Sequence, residues 1–201
     1  PLPDHFVRLQ WDAPNESLQQ HYHWPTQSDA LLTMLRNIGI SHIHYHHLLG
    51  VDPEIMLIPQ QLGITYDFTA HDYYTACPQI ALVDTHHNYC GEQGLAQCTA
   101  CLAQRPAPTG ESIEDWRLRH RLFLHNARYL LTPSRDAAQR LQRYFPTANL
   151  RFAPHLDMAT DATVPQPHPR RLSTEAHLRI LVIGAVNEVK GADILEATAL
   201  Q

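Results

Sequence analysis

Lysine is almost missing from this chain of 201 residues: Lys190 is the only one, against fourteen Arg. Charged side chains of all kinds make up only 17% of the sequence, which excludes a charge-rich disordered tail or a coiled coil. Long apolar runs are lacking too. The longest, such as residues 180–183, fall far short of the roughly 20 residues that cross a bilayer. No cationic start followed by an apolar stretch is present, so no secretory signal is read and a cytoplasmic location is expected. A basic surface is absent from the front half. Residues 1–100 hold two Arg and ten Asp or Glu, a balance of −8, and the rest of the chain holds +3. That excludes a nucleic-acid partner, whose phosphates demand a basic face.

What is present is a 44% hydrophobic content, enough at this length for a core without staples. Histidine is abundant, with ten of its fifteen copies in the first hundred residues. Val7, Leu9 and Trp11 alternate as in a strand. Residues 12–27, polar and carrying Pro14 and Pro25, read as loop. Ser28 reads as an N-cap ahead of Leu31, Leu35 and Ile38 at helical spacing, and Gly39 closes that helix. A strand over 41–46 follows. Asp52-Pro53 then opens a second helix with Ile55, Ile58 and Leu62 inside and Pro59 in conflict with it. Gly63 ends it, and a strand over 64–70 comes next. Helix, Gly and strand thus repeat at about 25 residues, the pattern of right-handed βαβ units in a parallel sheet.

Residues 73–111 interrupt the rhythm with all four Cys and Pro78, Pro106 and Pro108. Ser112-x-x-Asp115 then resembles a capping box for a helix with Ile113, Trp116, His120, Phe123 and Ala127 on one face. A strand over 128–132, a helix opened by Ser134 with Ala137, Leu141 and Tyr144 inside, and a strand over 150–153 complete the unit. Residues 1–156 are therefore expected to form one α/β domain, a Rossmann-like parallel sheet flanked by helices. Residues 157–177, rich in Pro, Thr and His, read as a linker. Residues 178–201 read as the first strand, loop and helix of a second domain, with the strand over 179–183. The chain is accordingly expected to be a fragment of a longer protein.

Four groupings carry chemistry. Gly184, Glu188, Lys190 and Gly191 span a strand end, a loop and a helix start, a place suited to a phosphate; an ordinary surface lysine fits the same spacing. His71 and Asp72 follow a parallel strand directly, where the ligand crevice of an open α/β sheet lies; the competing view is a plain strand end with Asp72 as a cap. His42, His44 and His46 share one face of a strand by period two. They suggest a metal-dependent hydrolase, or else packing and surface histidines. Cys77, Cys90, Cys98 and Cys101 fall within 25 residues, and Cys98-x-x-Cys101 has zinc-knuckle spacing. Structural zinc, free thiols and disulfides all remain open for them, with His86 or His87 as a substitute ligand; a zinc-stapled interaction module without catalysis is one outcome.

Ile43-His44-Tyr45-His46-His47-Leu48-Leu49-Gly50, Leu62-Gly63-Ile64-Thr65-Tyr66 and His71-Asp72-Tyr73-Tyr74 form a linked set. So do Cys77-Pro78, Tyr89-Cys90-Gly91-Glu92, Cys98-x-x-Cys101, Thr132-Pro133-Ser134, Arg143-Tyr144-Phe145-Pro146, Pro154-His155 and Glu188-x-Lys190-Gly191. Together these resemble a bacterial group-1 glycosyltransferase of glycosyltransferase family 4. The resemblance implies a GT-B architecture and transfer of a sugar, with retention, from a nucleotide-sugar donor to a glycan or lipid-linked acceptor. It implies a role in polysaccharide biosynthesis, no catalytic metal, and peripheral membrane association of the parent protein. In that scheme His71, with Asp72 beside it, faces the transferred sugar, and Gly184, Glu188, Lys190 and Gly191 hold the donor diphosphate. The sequence departs from the family at Gly184-Ala185, where Gly-Arg is usual. It shows no Glu-x7-Glu motif and no recognisable Gly-rich loop before residue 28, so this chain alone is expected to be inactive.

Overall fold

The computed structural model describes residues 5–13, 16–154, 181–184 and 186–200. β1 (His5–Ala13) and β2 (Glu16–Trp24) pair as an antiparallel hairpin, and α1 (Ser28–Asn37) follows. Then come β3 (His42–Tyr45), a 3-10 turn over Pro53–Leu57 leading into α2 (Ile58–Leu62), and β4 (Thr65–Thr69). α3 (Leu95–Gln104), α4 (Ile113–Asn126), β5 (Tyr129–Thr132), α5 (Arg135–Tyr144) and β6 (Leu150–Phe152) complete the sheet unit. β3, β4, β5 and β6 form one parallel sheet in that spatial order. The protein is thus a mixed α/β structure with a four-stranded parallel sheet flanked by helices, as the helix–Gly–strand rhythm leads one to expect.

Local chemistry explains the element borders. Ser112 Oγ accepts from Asp115 N at 3.0 Å and donates to Asp115 Oδ2 at 2.7 Å, so it caps α4. Ser134 Oγ accepts from Ala137 N at 3.1 Å and caps α5. Asp52 accepts from Glu54 N at 2.8 Å and starts the 3-10 turn. Each such cap satisfies an amide that helix geometry leaves without a partner. The conflict at Pro59 resolves by division: the segment breaks into a 3-10 turn and a separate short helix, and Pro59 sits in that helix's first turn, where no amide is required. Gly63 then takes the left-handed conformation at φ +68°.

Trp116, Phe123 and Leu124 of α4 and Leu141 and Phe145 at α5 pack on Tyr66, Phe68 and Leu130 from one face of the sheet. A second cluster joins Tyr22 and Trp24 of β2 to Leu31 and Leu32 of α1 and to Ile58. That cluster corrects one expectation. Residues 16–24 are a strand rather than loop, because pairing with β1 supplies the backbone hydrogen bonds that their polar side chains do not predict. The α1 cap also shifts: Ser28 lies inside the helix and Gln27 precedes it, with no side-chain cap bond.

The expected linker, residues 157–177, lies outside the described residues, as do Arg179 and Ile180. Residues 181–184 are not a strand, and Leu181 and Ile183 are 83% and 89% exposed. An apolar run becomes a strand only beside a partner, and no described strand pairs with it. A 3-10 turn at Glu188–Lys190 and α6 (Ala192–Ala199) end the described chain. Among the described residues no helix is long and apolar enough to cross a membrane.

Candidate functional site at the carboxyl ends of strands β3 and β4

The β3 histidines and the His71-Asp72 pair form one array. In a strand, alternate side chains share a face, so Ile43 and Tyr45 enter the core while His42, His44 and His46 turn the other way. Parallel pairing sets His42 beside Thr65 and His44 beside Asp67. His42 Nε2 meets Asp67 Oδ2 at 3.1 Å, and its Nδ1 meets Thr65 Oγ1 at 2.8 Å. His44 Nε2 lies 2.8 Å from Thr69 Oγ1, His46 Nδ1 lies 3.1 Å from His71 Nε2, and His47 Nε2 lies 2.5 Å from Asp72 Oδ2. Four of these pairs are separated by 25 residues in sequence. The helix–Gly–strand repeat therefore aligns the two polar runs.

The array is ordered. The rings of His44 and His46 stack at 4.5 Å with planes 11° apart, and His46 stacks on His71 at 5.4 Å. The Leu49 amide donates to His47 Nδ1 at 2.8 Å, so that ring carries its proton on Nε2, aimed at Asp72. Asp72 Oδ1 accepts from Tyr74 N at 2.8 Å. Both Asp72 oxygens are thus engaged, in holding His47 and in shaping the turn after β4.

Deeper along the strands, Arg128 clamps the buried Asp67 with two bonds, Nε to Oδ1 at 3.0 Å and Nη2 to Oδ2 at 2.5 Å. The Arg128 hydrogen bonds outweigh burial and hold the Asp67 carboxyl below its usual pKa. Burial first, and the neighbouring His46 second, lower the pKa of His44. At the same end of the sheet lies a cleft of about 110 Å3 whose lining includes Asp52, Tyr74, Trp116 and Arg119. Trp116 Nε1 donates to Tyr74 O at 2.9 Å, and the Arg119 guanidinium lies 4.9 Å over the Trp116 ring.

The expected donor residues sit elsewhere. Asn187 caps the turn before Gly191, and α6 begins immediately after that glycine, as the spacing suggests. Glu188 Oε2 lies 2.5 Å from His87 Nδ1, and Glu188 and Gly191 line a cavity of about 380 Å3 with His86, His87 and Tyr89. Gly184 is left-handed at φ +107°, and Lys190 is exposed. The described contact of this segment runs from Glu188 to His87.

The four cysteines are brought together in space. Cys77, Cys90, Cys98 and Cys101 are half-buried free thiols that line one cavity of about 460 Å3, with Asp84 and His86 on its wall. Among the described residues, no three His, Cys, Asp or Glu side chains stand where they could already hold a metal ion. This applies equally to His42, His44 and His46: both ring nitrogens of His42 are engaged, with Thr65 and Asp67, and one each of His44 and His46, with Thr69 and His71.

One feature that sequence patterns do not reveal is the Glu92 clasp. Glu92, left-handed at φ 53°, accepts from Tyr89, Arg140 and Arg143 and so ties the 73–111 excursion to α5. Comparison with protein-family models, with curated proteins and with solved structures finds no match to this chain.

Proposed function

We propose that the chain is the acceptor-side part of a retaining sugar transferase. It would draw on a nucleotide-sugar donor and a glycan or lipid-linked acceptor, with no metal taking part in the chemistry. The observation that carries this reading is the position of His71. It lies just past the carboxyl end of a central parallel strand, where open α/β sheets take their ligands, and it is held by His46. His71 contacts the transferred sugar. Asp72 acts as a positioning residue through His47 and the turn to Tyr74. The neighbouring cleft supports the same reading, since Asp52 and Arg119 on its wall offer polar groups to a sugar above the buried rings of Tyr74 and Trp116. Gly184, Glu188, Lys190 and Gly191 are proposed to meet the donor diphosphate, as a helix start and a lysine suit an anion.

Ligand-observed NMR of the 201-residue chain against a panel of mono- and oligosaccharides tests this. At least one sugar is expected to bind, and His71→Ala is expected to weaken it about tenfold, the value of one hydrogen bond to substrate. A panel with no binder, or a binder indifferent to His71→Ala, would refute the assignment.

A further inference from the structure

We propose that Cys98 is a peroxide-reactive thiol and that Cys101 resolves its oxidation, closing a disulfide within one turn of α3. The proposal stands apart from the sugar-transfer reading and uses none of its residues. All the cysteines of the chain are free thiols on the wall of a single cavity of about 460 Å3, although they come from three separate stretches of the 73–111 excursion. Among the described residues no three His, Cys, Asp or Glu side chains close on a common point. Disulfide chemistry asks less, since it joins sulfurs two at a time.

Cys98 stands out among the four. Arg117 Nη2 donates to its sulfur at 3.3 Å, and among the described residues no other cysteine takes a hydrogen bond from a cationic side chain. Such a bond is charge-assisted and strengthens as the sulfur becomes anionic. The thiolate is also the form that attacks an oxidant. The guanidinium is itself held in place: Nε donates to Ala76 O at 3.0 Å, and the group lies 4.8 Å over the Tyr144 ring. Cys98 is half-buried beside the cavity, whose volume admits a molecule little larger than water.

Cys101 lines the same cavity, with only Thr99 and Ala100 between it and Cys98 on α3. So short a tether favours it as the resolving thiol, because closing a short loop costs little entropy. Side chains three apart on a helix have Cβ atoms about 5–6 Å apart, whereas a disulfide needs about 3.8 Å. The bridge therefore requires this turn of α3 to give way. No residue of α3 is buried, so the helix can loosen without opening the core.

The steps balance. The Cys98 thiolate attacks one oxygen of hydrogen peroxide, the O–O bond breaks, and hydroxide leaves. Sulfur is oxidised to the sulfenic acid as peroxide is reduced. The Cys101 thiolate then attacks the Cys98 sulfur, the S–O bond breaks, and a second hydroxide leaves. The two protons shed by the thiols turn both hydroxides into water. Two thiols and one peroxide thus give one disulfide and two waters.

The test treats the reduced 201-residue chain with a small excess of hydrogen peroxide, alkylates the remaining thiols and maps chymotryptic peptides by mass spectrometry. A Cys98–Cys101 bridge is expected, with Cys77 and Cys90 alkylated and the bridge reversed by dithiothreitol. Amide exchange in α3 is expected to quicken on oxidation. Cys101→Ser is expected to leave the sulfenic acid on Cys98, where dimedone labels it. Arg117→Gln is expected to slow the oxidation about tenfold, the value of one charge-assisted hydrogen bond. Because either variant can fail to fold, the peptide map of the unaltered chain decides by itself. Four thiols alkylated alike after peroxide, or a bridge that leaves out Cys98 or Cys101, overturns the proposal.

Discussion

His120 is fully buried in α4, between Trp116 and Tyr74. Its Nδ1–H donates to Trp116 O at 2.8 Å, and its Nε2 is buried with no partner among the described residues. Burial lowers its pKa to about 4; the bond to Trp116 O opposes this and the Arg119 charge adds to it. An unfolded histidine titrates near 6.5. The unfolded chain therefore binds more protons between these values, and stability must fall as pH falls through that window. With these two pKa values, lowering the pH from about 7 to about 5 costs roughly 2 kcal/mol. For a domain of this size that is roughly a 4–7 °C drop in Tm. His120→Asn keeps a donor for Trp116 O but cannot titrate. It is expected to start less stable, because a smaller side chain leaves a cavity, and to show a flatter Tm between these pH values. His44, also lowered but exposed, acts weakly in the same direction, so His44→Asn is the control. Asp67 and Glu92 are both held below their usual values. Wild-type and His120→Asn curves that fall in parallel would refute the argument.

Two further outcomes are expected. At Glu92, burial is outweighed by bonds from Tyr89 and Tyr144 and by Arg143 and Arg140, so its carboxyl sits below its usual pKa. Its contribution is present above the unfolded pKa and is lost as pH falls through the folded one. Glu92→Gln is expected to cost about 1.5 kcal/mol near neutral pH in urea unfolding, with the 73–111 excursion exchanging amide hydrogens faster; unchanged exchange there would show that the clasp holds nothing. Ser112→Ala is expected to cost about 1 kcal/mol through the lost α4 cap, and Ser112→Asp, which restores an acceptor, is expected to recover most of it.

Much of the sheet was legible because its signals are local. Gly39 and Gly63 at the helix ends, Asp52, Ser112 and Ser134 as caps, and the apolar face from Ile113 to Ala127 each report on a few neighbouring residues. β2 was not legible, since Gln19, Gln20, His21 and His23 have polar side chains and the strand exists through its pairing with β1. The expected strand over 179–183 shows the converse, an apolar run at 181–183 without a described partner. The candidate site was half legible. The place of His71 after a strand marks it in the sequence, whereas its partner His46 falls in a separate histidine run. The clue lay in two facts taken singly: a repeat of about 25 residues, and polar runs at 42–47 and 67–72 set apart by that same interval.

The spatial order of the sheet follows the order of the chain, β3 to β6 without inversion. A nascent chain leaving the ribosome therefore presents each new strand to an edge that is already formed, and no strand must wait for a later one. Two of the three junctions close over about twenty residues, as in His42 with Thr65 and Leu130 with Leu150. The middle one, Asp67 with Tyr129, closes over about sixty, because the cysteine excursion and α4 intervene. Loop closure grows costlier with length, so the joining of β4 to β5 is the step at which assembly during synthesis is expected to pause. Until it is complete, β4 remains an open edge carrying Tyr66 and Phe68, the surface a chaperone would meet.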